Sequence, residues 1–206
     1  GGLNTMFLGM QLDRPAMKDR RIREAVVRAV NRERLAAVLG RGVMTAAKSP
    51  LPPNCGGFDP AVSQPPYDPE RARTLLMDAG IASELSLRLL YFSPTELWSE
   101  IVLAIKADLE KVGIRLELLR TQSWNEFYEE RKKSDHDLYL YTWSISTPDP
   151  ERLIYPLFHS QSQDNFGRYA NPRLDRLLTD ARQPMEEARR LQLYSEATRL
   201  IVSDLP

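Results

Sequence analysis

Residues 85–143 read LSLRLLYFSPTELWSEIVLAIKADLEKVGIRLELLRTQSWNEFYEERKKSDHDLYLYTW, and the succession of periods in that stretch decides the fold. Leu85, Leu87 and Leu89 alternate along a strand that runs to Phe92. Leu97, Trp98, Ile101, Val102, Ile105, Leu109 and Val112 then recur at helical spacing, and Gly113 stops the helix. Ile114, Leu116 and Leu118 alternate against Arg115 and Glu117 in a second strand to Arg120. A short helix follows to about Lys133, and residues 137–143 form a third strand. Each helix opens on a capping box, Ser93-Pro94-Thr95-Glu96 and Ser123-Trp124-Asn125-Glu126. In such a box the hydroxyl accepts from the N–H three residues on, while the carboxylate reaches back. Strands joined through helices of this length need right-handed crossovers, so the chain is α/β with a largely parallel sheet.

Working outward, Met6-Phe7-Leu8-Gly9-Met10 reads as another strand. Asp19 opens a helix whose face is Ile22, Ala25, Val26, Ala29 and Val30, and Asn31 caps a further piece ending at Gly40. Residues 48–69 hold seven of the chain's 15 prolines, too many for a helix interior or a central strand, so this is an irregular loop. It ends at Asp68-Pro69-Glu70, a cap followed by proline at the first helical position, and that helix runs to Gly80. Asp149-Pro150, Asn171-Pro172 and Pro184 open three more helices, the last carrying Leu191, Tyr194, Ala197 and Ile201.

Composition narrows the function. Lys+Arg 28 against Asp+Glu 28, interleaved along the chain, gives no electrostatic reason to expect nucleic acid. No apolar run approaches the roughly 18 residues of a membrane span. The single cysteine, Cys55, makes no intrachain disulfide. The start Gly1-Gly2-Leu3-Asn4 carries neither an initiator Met nor a signal segment, and Ser203-Asp204-Leu205-Pro206 stops just after a helical pattern. Both ends read as cut.

The residues suited to catalysis do not converge. Cys55 with His136 or His159 makes a conceivable thiol–imidazole pair, but it lies in a proline loop without a strand-to-helix elbow. An unreactive loop thiol is the preferred reading. Asp135-His136-Asp137 lacks the spacing of a metal site, and a solvated turn is preferred. No glycine-rich phosphate loop is present, and Gly56-Gly57 precedes no helix. No catalytic residue, metal or cofactor is therefore expected. The aromatic residues say more. Trp143 closes a strand and is followed by Ser144-Ile145-Ser146-Thr147-Pro148, the position where open α/β sheets bind ligands. Trp124 starts the preceding helix. A ligand contact and ordinary packing are equally compatible with both tryptophans.

Several segments together resemble the bacterial solute-binding proteins of peptide and nickel ABC importers. They are Arg21-Ile22-Arg23-Glu24-Ala25-Val26 with Asn31-Arg32-Glu33, Ser49-Pro50-Leu51-Pro52-Pro53, and Tyr67-Asp68-Pro69-Glu70-Arg71-Ala72 through Ala79-Gly80. Leu109-Glu110-Lys111-Val112-Gly113-Ile114, Trp124, residues 137–143, Pro148-Asp149-Pro150 and Tyr169-Ala170-Asn171-Pro172 follow in the family's order. The resemblance implies a periplasmic-binding-protein-like fold of two lobes. Residues 1–206 would be most of the C-terminal lobe, with residues 85–143 at its core and the N-terminal lobe absent.

What the resemblance implies for function is capture of oligopeptides or a related small solute and delivery to an ABC permease. The protein would be periplasmic or anchored outside the membrane, and not an enzyme. Trp124, Arg131, Trp143, Ser144 and Ser146 are the implied ligand-facing residues. Trp124 corresponds to a side-chain-pocket residue and Arg131 to one that holds a ligand carboxylate. Ser146 stands where peptide binders carry the aspartate that pairs with the ligand ammonium, and Leu140 replaces a second arginine. Asp149 or the absent lobe would compensate, or the ligand presents no free amine there. Two alternatives stand beside it: a solute-sensing lobe of a cytoplasmic transcriptional regulator, and a Cys55-dependent hydrolase.

Overall fold

The computed structural model describes residues 4–206. Strand β1 covers Asn4–Met10 and is followed by α1 (Pro15–Lys18), α2 (Arg20–Ala29) and α3 (Arg32–Val38). Residues 48–68 carry no helix or strand, as the prolines require. Beyond them lie α4 (Pro69–Asp78), β2 (Leu85–Phe92), α5 (Glu96–Glu110), β3 (Ile114–Thr121), α6 (Trp124–Lys132) and β4 (Leu138–Ser144). Helices α7 (Glu151–Phe158), α8 (Pro172–Asp180) and α9 (Glu187–Asp204) complete the chain.

The sheet has the order β1-β4-β2-β3. Strand β2 is parallel to β3, pairing Leu85 with Ile114 and Phe92 with Thr121, and parallel to β4, pairing Leu89 with Leu138. β1 runs the other way. Gln11 N–H donates to the Asp137 carbonyl at 2.9 Å, and Gly9 faces Tyr139, where an added β-carbon would meet the ring. At the far end Asn4 pairs with Thr142. Numbers rising along β1 while they fall along β4 define an antiparallel edge strand on an otherwise parallel sheet.

The chain divides into two compact units. One comprises residues 8–46 and 65–141; the other comprises residues 1–7, 47–64 and 142–206. In the first, β2 and β3 form the apolar centre, with Leu87, Leu89, Ile114 and Leu138 at 0% exposure. Helix α5 packs on β3, α6 on β2, and α2 on α4. In the second, α8 and α9 pack together around Leu174, Leu178, Tyr194 and Ala197. The Gly56-Gly57 pair belongs to this packing. A β-carbon at Gly56 would lie 2.7 Å from Leu191 Cδ2, and one at Gly57 would lie 3.1 Å from the Leu191 carbonyl and Tyr194 Cβ. Gly57 also has φ +74°, a conformation glycine adopts without strain. Small residues let the proline loop lie directly on α9.

Two helix starts differ from expectation. Ser93 does not cap α5: its hydroxyl donates to the Thr95 carbonyl at 2.8 Å and shares a 2.7 Å bond with Ser99 Oγ, so Thr95 takes the cap position. Helix α9 starts at Glu187, not Pro184. Residues 182–189 are all exposed, so no buried apolar side chain draws the earlier turn into the helix.

Candidate functional site

The site is built from strand ends. In the first unit the β2 register brings Phe92 opposite Thr121, and the β4 register, continued by two residues, brings Phe92 opposite Tyr141. Two residues beyond β3, Ser123 Oγ accepts from Glu126 N–H at 3.2 Å and the Glu126 carboxylate accepts from Gln122 N–H at 2.6 Å. The reach-back of this capping box thus lands one residue before the cap. It fixes Trp124 as the first residue of α6.

Trp124 is half-buried at the centre of an aromatic cluster. Its ring centroid lies 5.0 Å from Phe92, 5.5 Å from Phe127, 5.7 Å from Tyr141, 5.9 Å from Trp98 and 6.2 Å from Tyr128. All but Tyr128 meet it edge-on, the arrangement that the ring quadrupoles favour. Phe127, fully buried, is the floor, while Phe92, Trp98 and Tyr128 keep part of their surface outside. The sequence marks Trp98 only as a core-facing helical position; its place in the first turn of α5, just after a strand end, is the signal that points to the site.

Arg131 lies inside this cluster at 4% exposure. Its guanidinium is 4.8 Å from the Tyr128 ring centroid, 5.4 Å from Tyr141 and 5.7 Å from Phe127. The Phe127 and Tyr141 rings are themselves stacked, and the Tyr128 and Tyr141 hydroxyls share a 2.9 Å hydrogen bond. Burial lowers the Arg131 pKa to about 10, opposed by the neighbouring tyrosines. Burial and the Tyr128 hydrogen bond push Tyr141 up to about 12. At neutral pH the cluster therefore encloses one cation among neutral rings.

In the second unit, Trp143 is half-buried near the carboxyl end of β4, and its indole Nε1–H donates to the Arg152 carbonyl at 2.8 Å. Ile145 is buried, which turns Ser144 and Ser146 outward, and Thr147 is exposed beside them. The carboxylates that follow are committed. Asp149 Oδ1 accepts from Arg190 Nη2 at 2.7 Å and from Glu151 N–H at 2.9 Å. Glu151 lies 3.1 Å from Arg182 and 3.6 Å from Arg190. Asp149, the acid offered in place of the one missing at Ser146, has its charge balanced by Arg190.

The remaining candidates have structural partners. Cys55 is 5% exposed, its Sγ donates to the Pro148 carbonyl at 3.2 Å, and burial, reinforced by Asp149, pushes the thiol up to about 11. A buried, protonated thiol is a poor nucleophile, because the thiolate is the reactive form. His159 is stacked on Tyr155, and its Nδ1 accepts from Gln161 N–H at 3.2 Å. The 135–137 triplet is not the solvated turn expected of it. Asp135 is exposed and pairs with Arg88, but Asp137 is buried against Arg14, and His136, at 1% exposure, meets Tyr139 edge-on.

Comparison with known proteins supplies the family. The model described as "Bacterial extracellular solute-binding proteins, family 5 Middle" matches residues 1–165. The probable di/tripeptide-binding protein 5 of Pseudomonas aeruginosa is 30% identical over 205 residues, covering 96% of this chain and 38% of that protein. The dipeptide-binding protein of Escherichia coli is 26% identical, over 95% of this chain and 38% of its own length. Among solved structures, the dipeptide-binding protein of Pseudoalteromonas sp. SM9913 in complex with Met-Leu superposes with a TM-score of 0.91 at 27% identity, covering 100% of this chain and 42% of that one. The chain thus spans about two-fifths of the length of the curated relatives it matches. The sensing-lobe alternative gains no support from these relatives. An ordered set of motifs, a parallel sheet with one antiparallel edge, and a family match over four-fifths of the residues lead to one statement: the chain belongs to the bacterial extracellular solute-binding proteins, family 5.

Proposed function

We propose that this chain is the C-terminal ligand-binding lobe of an extracytoplasmic solute-binding component of an ABC importer, taking peptides or a related small solute to a permease outside the cytoplasmic membrane. The observation that carries the reading is the half-buried aromatic cluster around Trp124, set at the carboxyl ends of parallel strands in a member of this family. Trp124, Trp143, Ser144 and Ser146 are assigned to ligand contact, and Arg131 to the same task through the rings it underlies. Flat rings give apolar area at low entropic cost, and exposed hydroxyls give adaptable hydrogen bonds.

The cargo is proposed to present no free ammonium at Ser146. Ser144, Ser146 and Thr147 are uncharged, and Asp149 and Glu151 are already balanced by arginines. An ammonium placed there would forgo a charge-assisted hydrogen bond. Calorimetry on the full-length protein, with trialanine and N-acetyl-trialanine as probes, tests both statements. The acetylated peptide is expected to bind at least as tightly as the free one, and Trp143→Ala to weaken binding by about tenfold or more, the usual scale for a truncated aromatic anchor. A strong preference for the free peptide removes the cargo reading. Silence of both probes removes peptide capture itself.

A further inference from the structure

Helix α7 contains a proline, Pro156, within its eight residues Glu151–Phe158. Proline has no N–H, so the carbonyl four residues earlier, that of Arg152, receives no helical hydrogen bond from it. The proline ring also crowds that carbonyl. The Arg152 carbonyl is the group that accepts the Trp143 indole N–H, at 2.8 Å. Around it the ordinary four-residue bonds are present: Ile154 N–H donates to the Pro150 carbonyl, and the cap His159 N–H donates to that of Tyr155.

We infer that Pro156 is a positioning residue for Trp143: by vacating the Arg152 carbonyl it creates the acceptor that fixes the indole at the end of β4. The inference rests on the reading of Trp143 as a ligand contact for its functional meaning, but its geometry stands apart from that reading. Neither Pro156 nor Arg152 is assigned to ligand contact. The helix tolerates a residue that costs it stability because the vacated carbonyl holds the ring.

The test is Pro156→Ala in the full-length protein. An alanine there supplies the missing N–H and closes the helical bond on Arg152, so the thermal midpoint is expected to hold or rise. The Trp143 indole Nε1–H signal, identified by its loss in Trp143→Phe, is expected to shift in proton–nitrogen NMR spectra, with solvent exchange faster by about tenfold, as for a broken hydrogen bond. The indole signals of Trp98 and Trp124 should stay in place. Affinity for N-acetyl-trialanine is expected to fall in Pro156→Ala and to be insensitive to the same change in a Trp143→Phe background. Better stability with worse binding is a combination that a purely structural proline does not give. An unmoved indole signal overturns the inference. An indole that moves with no loss of affinity, while Trp143→Ala also binds normally, keeps the positioning and overturns the assignment of Trp143 to the ligand.

Discussion

His136 is a buried residue whose protonation the fold opposes. It is 1% exposed, and its Nε2 has no hydrogen-bond partner among the described residues. Burial drives its pKa down to about 4; Asp137 and Asp13 act in the opposite direction, and Arg14 and Arg131 reinforce the drop. The unfolded chain takes up the proton near pH 6.5 and the folded one near 4, so the unfolded state binds more protons between those values. Stability is therefore full above pH 6.5, falls as pH drops through that window and levels off below it, a loss of at most about 3 kcal/mol. Urea midpoints measured from pH 7 to pH 4 should show this slope, and His136→Leu should flatten it while leaving the pH 7 midpoint unchanged or higher. A slope that survives the substitution assigns the acid sensitivity to other groups. The depressed carboxylates, Asp19 with its Arg21 partner among them, lose their contribution only at lower pH.

Helix α3 shows how one buried charge can hold an element that burial does not. None of its residues is buried, and Val38 is 65% exposed. Its start is tied to α5 through Asp108, which accepts from Asn31 N–H at 3.1 Å, Arg34 Nη2 at 2.8 Å and Lys111 Nζ at 3.0 Å. Burial alone would raise the Asp108 pKa, but Lys111, Arg34 and the Asn31 amide together bring it below the usual carboxylate value. Asp108→Ala should cost about 1.5–3 kcal/mol, the scale for hydrogen bonds to a charged group whose cation partners stay in water, and should speed amide exchange across α3 before α2. Equal exchange in both helices would show that α3 is held by something else. The Asn31 cap itself was readable in the sequence, as were the caps at Asp19, Asp68, Ser123 and Asn171, because each is a local event between residues two or three apart. The tie through Asp108 was not readable, since Asn31 and Arg34 lie 77 and 74 residues from it and only Lys111 is local. The same division runs through the site. Trp124 and Trp143 were marked by their place at strand ends, whereas the rings around Arg131 and the carbonyl vacated by Pro156 depend on how distant segments meet. The Ser93 capping box failed for a related reason: a local pattern lost its hydroxyl to Ser99.

At the scale of the molecule the two units are built differently, and Cys55 reports on the more scattered one. Its unit draws on residues 1–7, 47–64 and 142–206, so the proline loop finds its partners some 93 residues on, where Cys55 Sγ meets the Pro148 carbonyl. Contacts of such separation carry a larger closure cost and form late, and a loop joined to the rest of its unit through them opens more readily than its neighbours. A thiol 5% exposed and raised to about 11 reacts with a disulfide reagent only through such openings. Gly57→Ala loads this one place, forcing a side chain onto φ +74° and to within 3.1 Å of α9. It should speed Cys55 labelling by about tenfold, the factor for a strain of little more than 1 kcal/mol. Amide protection in β2 and β3, which belong to the other unit, should be unaffected. If labelling and β2–β3 exchange rise together by the same factor, the chain opens as one cooperative body and the thiol measures global stability; a rise in labelling alone assigns the opening to the unit that carries Trp143, Ser144 and Ser146.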